Sequence, residues 1–211
     1  MSYGDVPPLL ADEPAGLTPL HQRQYQVQAW RIDDARVLLR GAVEDRKPAL
    51  IWPGPDESIA IHHMVVDLTI SYPELVIDGA AVRFETHPHD ECPRIADHYG
   101  GLVGLSIARG FTQRVRDLFG GPRGCTHTTA LLQAMAPVAV QCGWSMRQLA
   151  AGGDPAPRQL GEQTGLRNTC HMWAEDGDLW ARAASGQPIP LPIPVRRRLS
   201  LAGVDPEEWE R

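Results

Sequence analysis

The chain has 211 residues, 43% of them hydrophobic and 22% charged, the balance of a globular protein with enough chain for one sizeable core. A net charge of −6 excludes a nucleic-acid binder held by a broad basic surface, because Val195-Arg196-Arg197-Arg198 is the one basic run. No apolar stretch reaches the ~20 residues a membrane span requires and no signal-peptide pattern opens the chain, so a cytoplasmic, membrane-free protein is expected. In that compartment thiols stay reduced. The four cysteines then read as ligands, nucleophiles or core residues rather than disulfide halves.

Residues 1–20 are rich in proline and lack periodicity, which predicts an irregular arm. Tyr25, Val27 and Ala29 then alternate with Gln24, Gln26 and Gln28, and after Asp33-Asp34 the alternation resumes with Val37, Leu39 and Val43 on one face. Pro48, Pro53, Gly54 and Pro55 mark a loop. Residues 58–70 form the clearest strand: Ala60, His62, Met64, Val66, Leu68 and Ile70 share a face that only His62 interrupts. The period of two turns His62 toward the core and His63 away from it. After a turn at residues 71–74, Ala80, Val82 and Phe84 mark a partner strand, completing an antiparallel sheet of about four strands.

The following half reads as helical. A polar loop holds His87, His89 and Cys92-Pro93, residues 94–99 suit a short helical turn, and Phe111, Val115 and Leu118 fall on one helical face. Gly120-Gly121-Pro122-Arg123-Gly124 then leads into a helix whose apolar face is Leu131, Leu132, Met135, Val138 and Ala139, with a kink or restart expected near Ala136 because Pro137 lacks an N–H. Residues 144–150 continue helical before Gly152-Gly153-Asp154-Pro155. Further on, residues 168–174 and 179–183 flank Asp176-Gly177, a hairpin-turn pattern, and the alternating prolines of residues 188–194 predict an extended surface segment before a short terminal helix at 205–209. The expected architecture is α+β: the N-terminal sheet, a helical half and a C-terminal hairpin. It divides into the arm 1–20, a single domain 21–185 and a Pro-rich extended tail 186–211.

The chemistry concentrates in cysteine and histidine. Cys125 and His127 sit where a helix starts, and unpaired N–H groups with a positive dipole favour a thiolate there, the form that attacks or binds metal. His127 precedes Leu131 by four residues and so faces inward. His62, Cys92, Cys170 and His171 offer further donors, although no Cys-x-x-Cys pair announces a metal site and these segments must meet through tertiary packing. Each has a plainer reading too: His62 as a hydrogen-bonded core residue, Cys92 as a ligand or a core residue, Cys142 as core. In a metal-free version Cys125 is a nucleophile. His127 would be an awkward base for it, since residues two apart on a helix diverge, and His62 or His171 would have to serve.

These segments resemble a bacterial domain-of-unknown-function family with a His-x-Met strand, a Cys-Pro loop, a Gly-Cys-Thr-His helix start and a Thr-Cys-His segment. The matching residues are His62-His63-Met64, Cys92-Pro93, Gly124-Cys125-Thr126-His127 and Thr169-Cys170-His171 before Asp176-Gly177, with Gly41 and Asp45 matching an early Gly-x-x-x-Asp strand end. The family's usual aspartate is replaced by His63 here. The resemblance points to the same residues that chemistry selects and implies small organic substrates.

The expected function is a metal-dependent enzyme of lyase or hydrolase type. It would act on a small, carbonyl-bearing or aromatic molecule through a divalent zinc or iron ion held by some of His62, Cys92, Cys125, His127, Cys170 and His171. Cys125, His127 and His62 would be catalytic, and Glu85, Asp90 or Asp45 would supply acid or base. The alternatives are a metal or iron–sulfur carrier, a metal-free cysteine enzyme and a ligand-binding protein whose surface includes Trp173, Trp180 and Trp209. A homodimer is the default oligomeric expectation.

Overall fold

The computed structural model describes residues 8–10, 14–49, 54, 57–150 and 167–205. Four strands, β1 (Gln22–Arg31), β2 (Arg36–Lys47), β3 (Ile59–Ser71) and β4 (Val76–Thr86), form one antiparallel sheet in the order β1-β2-β3-β4. Consecutive strands pair with one another throughout, a meander, with connections of four residues from β1 to β2 and from β3 to β4. The core face carries the apolar residues expected from period two: Leu39 and Val43 of β2 and Met64, Val66, Leu68 and Ile70 of β3 are all buried.

A run of 3-10 turns, Cys92–Leu102, leads to α1 (Phe111–Phe119) and then to the long helix α2 (Thr126–Ala150). Leu131, Leu132, Met135 and Ala139 of α2 are buried with Phe111, Val115 and Phe119 of α1 in the cluster that includes the sheet's core face. Gly41 is what lets α2 come down on β2. A Cβ there would lie 2.6 Å from the Met135 sulfur and 3.0 Å from Leu131 Cδ1, so the strand must be bare at that point. The helix is continuous through Pro137, with no restart there. Proline removes one donor, whereas the apolar residues on both sides of it keep the helix packed.

The chain divides into two compact units, Met1–Trp144 and Ser145–Arg211, with the boundary within α2. In the second unit a 3-10 turn (His171–Trp173) precedes α3 (Asp178–Ala184) and α4 (Ile193–Leu201). The expected C-terminal hairpin is therefore helical. Gly177 takes φ −89° at the start of α3, not the positive φ a tight hairpin needs, and Trp180 and Ala183 are buried three residues apart. The tail, expected to be extended over residues 188–194, turns helical from Ile193 in α4, which Pro192 and Pro194 start: a proline in the first turn costs no hydrogen bond. Parts of the N-terminal arm, Pro53 and Pro55 of the first loop, residues 152–155 and the expected terminal helix with Trp209 lie outside the described residues.

Candidate metal centre

The site begins with sheet register. On the core face Arg23 of β1 stands opposite Asp45 of β2, and Asp45 stands opposite His62 of β3, so three polar residues occupy one rung. Each continues an apolar face: Tyr25, Val27 and Ala29 on β1, Leu39 and Val43 on β2, Met64 and Val66 on β3. The β2–β3 register shifts between Asp45 and Arg46, and the β3–β4 register shifts between His63 and Met64, so irregularities flank His62. Bulges add local twist and re-aim the side chains beside them.

The fourth contributor comes from the helix. Gly124 must be glycine for the chain to reach α2, because a Cβ would lie 2.5 Å from the Phe119 carbonyl oxygen and 2.9 Å from the Tyr99 hydroxyl. Tyr99, buried and stacked on Phe119, accepts a hydrogen bond from the Cys125 N–H at 2.7 Å and donates to the Cys125 carbonyl at 3.3 Å. That carbonyl also accepts the first helical bond, from Thr129 N–H, which puts Cys125 at the cap and His127 in the first turn. From there His127 lies over the rung, its ring stacked on His62 with centroids 3.8 Å apart.

Asp45 is the hub, with only 1% of its surface exposed. Arg23 donates to both its oxygens, Nε to Oδ1 and Nη2 to Oδ2, each at 2.6 Å. Oδ2 also faces His127 Nε2 at 3.0 Å and His62 Nδ1 at 3.4 Å, while His21 Nε2 approaches Oδ1 at 3.5 Å from the exposed side. Burial alone would raise the Asp45 carboxyl, but the Arg23 fork outweighs it and holds the group at about 2. Burial holds both His62 and His127 below the ordinary histidine range; for His62 the neighbouring imidazole adds to this, and for His127 burial prevails over the opposing pull of Asp45. At neutral pH the site therefore presents one carboxylate and two neutral imidazoles, the protonation states a metal ion requires.

The geometry agrees with the chemistry. Ligand atoms of Asp45, His62 and His127 lie within 4.8 Å of one another, the one group of three or more such donors among the described residues. Two atoms each about 2.1 Å from an ion are about 3.0 Å apart at right angles and about 3.4 Å apart at the tetrahedral angle, spacings close to the two measured from Asp45 Oδ2. His62 Nδ1 is buried without a hydrogen-bond partner, a cost of about 1–3 kcal/mol that ligation would relieve. The cluster could hold a metal ion.

Of the residues selected from sequence, His62, His127 and Cys125 come together. Cys125 Sγ lies 3.7 Å from His127 Nδ1, the ring nitrogen opposite the one that faces Asp45, and is not in the converging group. The expectation that Cys125 and His127 diverge fails because Cys125 precedes the helix, where helical side-chain spacing does not apply. Cys92 opens the 3-10 run and is not in the group, and Cys170 and His171 belong to the second unit. Arg23 and His21 escaped sequence reading, and Asp45 entered as one acid among three and as the strand-end aspartate of the family resemblance, without being placed among the ligands. Their signal was present: a charged residue continuing the apolar face of each of two adjacent strands.

The fold and site define an α+β protein whose sheet rung and helix start build a buried two-histidine, one-carboxylate cluster. The chain belongs to the family described as Protein of unknown function (DUF2889), whose profile matches residues 21–141, a span that holds Arg23, Asp45, His62, Cys125 and His127 and ends before Cys170. No curated protein and no solved structure matches the chain. No helix among the described residues is long and apolar enough to cross a membrane.

Proposed function

We propose that this protein is a metal-dependent enzyme of lyase or hydrolase type, acting on a small carbonyl-bearing or aromatic substrate. The observation that carries the reading is the convergence of Asp45, His62 and His127 ligand atoms within 4.8 Å. Three protein donors, with no fourth among the described residues, match the pattern of catalytic sites, whereas structural zinc sites use four. Two imidazoles and a carboxylate suit zinc or ferrous iron. When bound, the ion would supply Lewis-acid activation of a water or a substrate oxygen. The protein's own part is to keep Asp45 ionised and oriented through Arg23 and to keep both imidazoles neutral.

The test is metal content and affinity of the full chain. Wild type should bind one zinc or ferrous ion per chain, while His62→Ala and His127→Ala should each weaken binding at least tenfold. Stoichiometric absence of binding by wild type at micromolar zinc and iron would end this reading.

A second reading has its own support: Cys125 Sγ beside His127 Nδ1, with His127 Nε2 3.0 Å from Asp45, is a nucleophile–base–carboxylate series. Under it, alkylation of Cys125 would abolish turnover of a carbonyl or ester substrate and chelators would leave it intact. The carrier reading has no converging group of cysteines behind it among the described residues.

A further inference from the structure

Cys125 occupies a position that its family of cap residues rarely concedes. Helix caps favour Ser, Thr, Asp or Asn, whose short oxygens take up the first free N–H groups. Here a sulfur stands at the cap, 3.7 Å from His127 Nδ1 and within reach of a hydrogen bond. Its place is not left to a surface rotamer: the Cys125 peptide is bonded on both sides to buried Tyr99, and the preceding Gly124 fits against Phe119 and Tyr99 with no room for a side chain.

A histidine that ligates a metal through one nitrogen carries its proton on the other, and the group accepting that N–H sets the tautomer and ring angle. Among the measured contacts of His127, Nε2 faces Asp45 Oδ2 and Nδ1 faces Cys125. We infer that Cys125 is a positioning residue for His127: its sulfur accepts the Nδ1–H and so presents a bare Nε2 to an ion shared with Asp45 and His62. This rests on the metal reading of the site. Without an ion, a proton on Nε2 facing Asp45 would leave Nδ1 to accept the Cys125 S–H. With an ion held by Nε2, the imidazole proton would lie on Nδ1 and be donated to the sulfur, so the site would neither gain nor lose a proton. Cys125 is thereby a partner of the ligand and not itself a ligand.

Zinc affinity of the full chain, measured by competition with a chromophoric chelator at neutral pH, tests this. Cys125→Ala should bind zinc at least tenfold more weakly than wild type. Cys125→Ser, whose hydroxyl can accept the same bond and is a good helix cap, should stay within about threefold of wild type. An unchanged affinity in Cys125→Ala, or equal losses in the two variants, would overturn the inference while leaving the metal site standing. Wild type that binds neither zinc nor ferrous iron would instead remove the metal reading and this inference together.

Discussion

The two faces of the sheet carry the same pair of residue types to different ends. On the core face Asp45 is gripped by Arg23, and on the opposite face Asp67 of β3 is gripped by Arg40 of β2 through two bonds of 2.6 and 2.8 Å. Asp67 receives a second cation as well, Arg83 at 2.9 Å, which is itself paired with Glu85. Two guanidiniums saturate Asp67, and its surroundings are open to water, so the cluster is an ordinary surface network. Asp45 has one guanidinium, is buried, and turns an oxygen toward two neutral imidazoles. What separates a site from a salt bridge here is the pair of neutral imidazoles set against one oxygen of a buried carboxylate.

The sharpest way to break the comparison is to neutralise each aspartate. Asp45→Asn should weaken zinc binding more than about 100-fold and cost about 2–3 kcal/mol in urea unfolding. That loss is on the low side for a broken buried pair because Arg23 is one-third exposed. Asp67→Asn should leave zinc affinity unchanged and cost about 1 kcal/mol or less. Equal effects of the two substitutions on zinc affinity would dissolve the distinction.

The faces should also differ in their glycines. Gly41→Ala on the core face forces Met135 and Leu131 aside and should cost about 1–3 kcal/mol, read as a lower unfolding midpoint. Gly79→Ala places its Cβ 3.6 Å from the Thr69 hydroxyl, an ordinary contact, and should change stability by no more than about 0.5 kcal/mol.

Tyr99→Phe removes both bonds to Cys125 while keeping the ring, and should cost about 1–2 kcal/mol by thermal unfolding. A stability equal to wild type would show that the cap does not depend on the hydroxyl.

The smallest effect expected is in pH. The Arg40 bonds, assisted by Arg83 and opposed by burial, hold the folded Asp67 carboxyl below its ordinary value. Its contribution is then fully present above the unfolded value near pH 4 and is lost as pH falls through the lower folded value. The stability gap between wild type and Asp67→Asn should accordingly shrink below about pH 4. A gap that widens on acidification would reverse the sign of this account.

Much of the first unit was legible in the alternation of residues. The four strands follow from Tyr25-x-Val27-x-Ala29, Val37-x-Leu39, the even positions of β3 and Ala80-x-Val82-x-Phe84, and His62 could be assigned to the core face by counting. The second unit was less legible. Asp176-Gly177 suits a hairpin or a helix start equally well, and the φ that Gly177 adopts decides between them. At the site, the helix-start signal located Cys125 and His127, but their mutual approach depended on Cys125 lying one residue outside the helix.

By itself the sequence determined faces: which side of each strand is apolar, that His62 and His127 point inward, and that Gly124 delivers a cysteine to a helix start. Only the tertiary structure decided the meeting of Arg23, Asp45 and His62 on one rung beneath His127. The physical reason is that periodicity is a local property of the chain. Register between strands, and the descent of α2 onto a bare Gly41, are set by packing between residues distant in sequence.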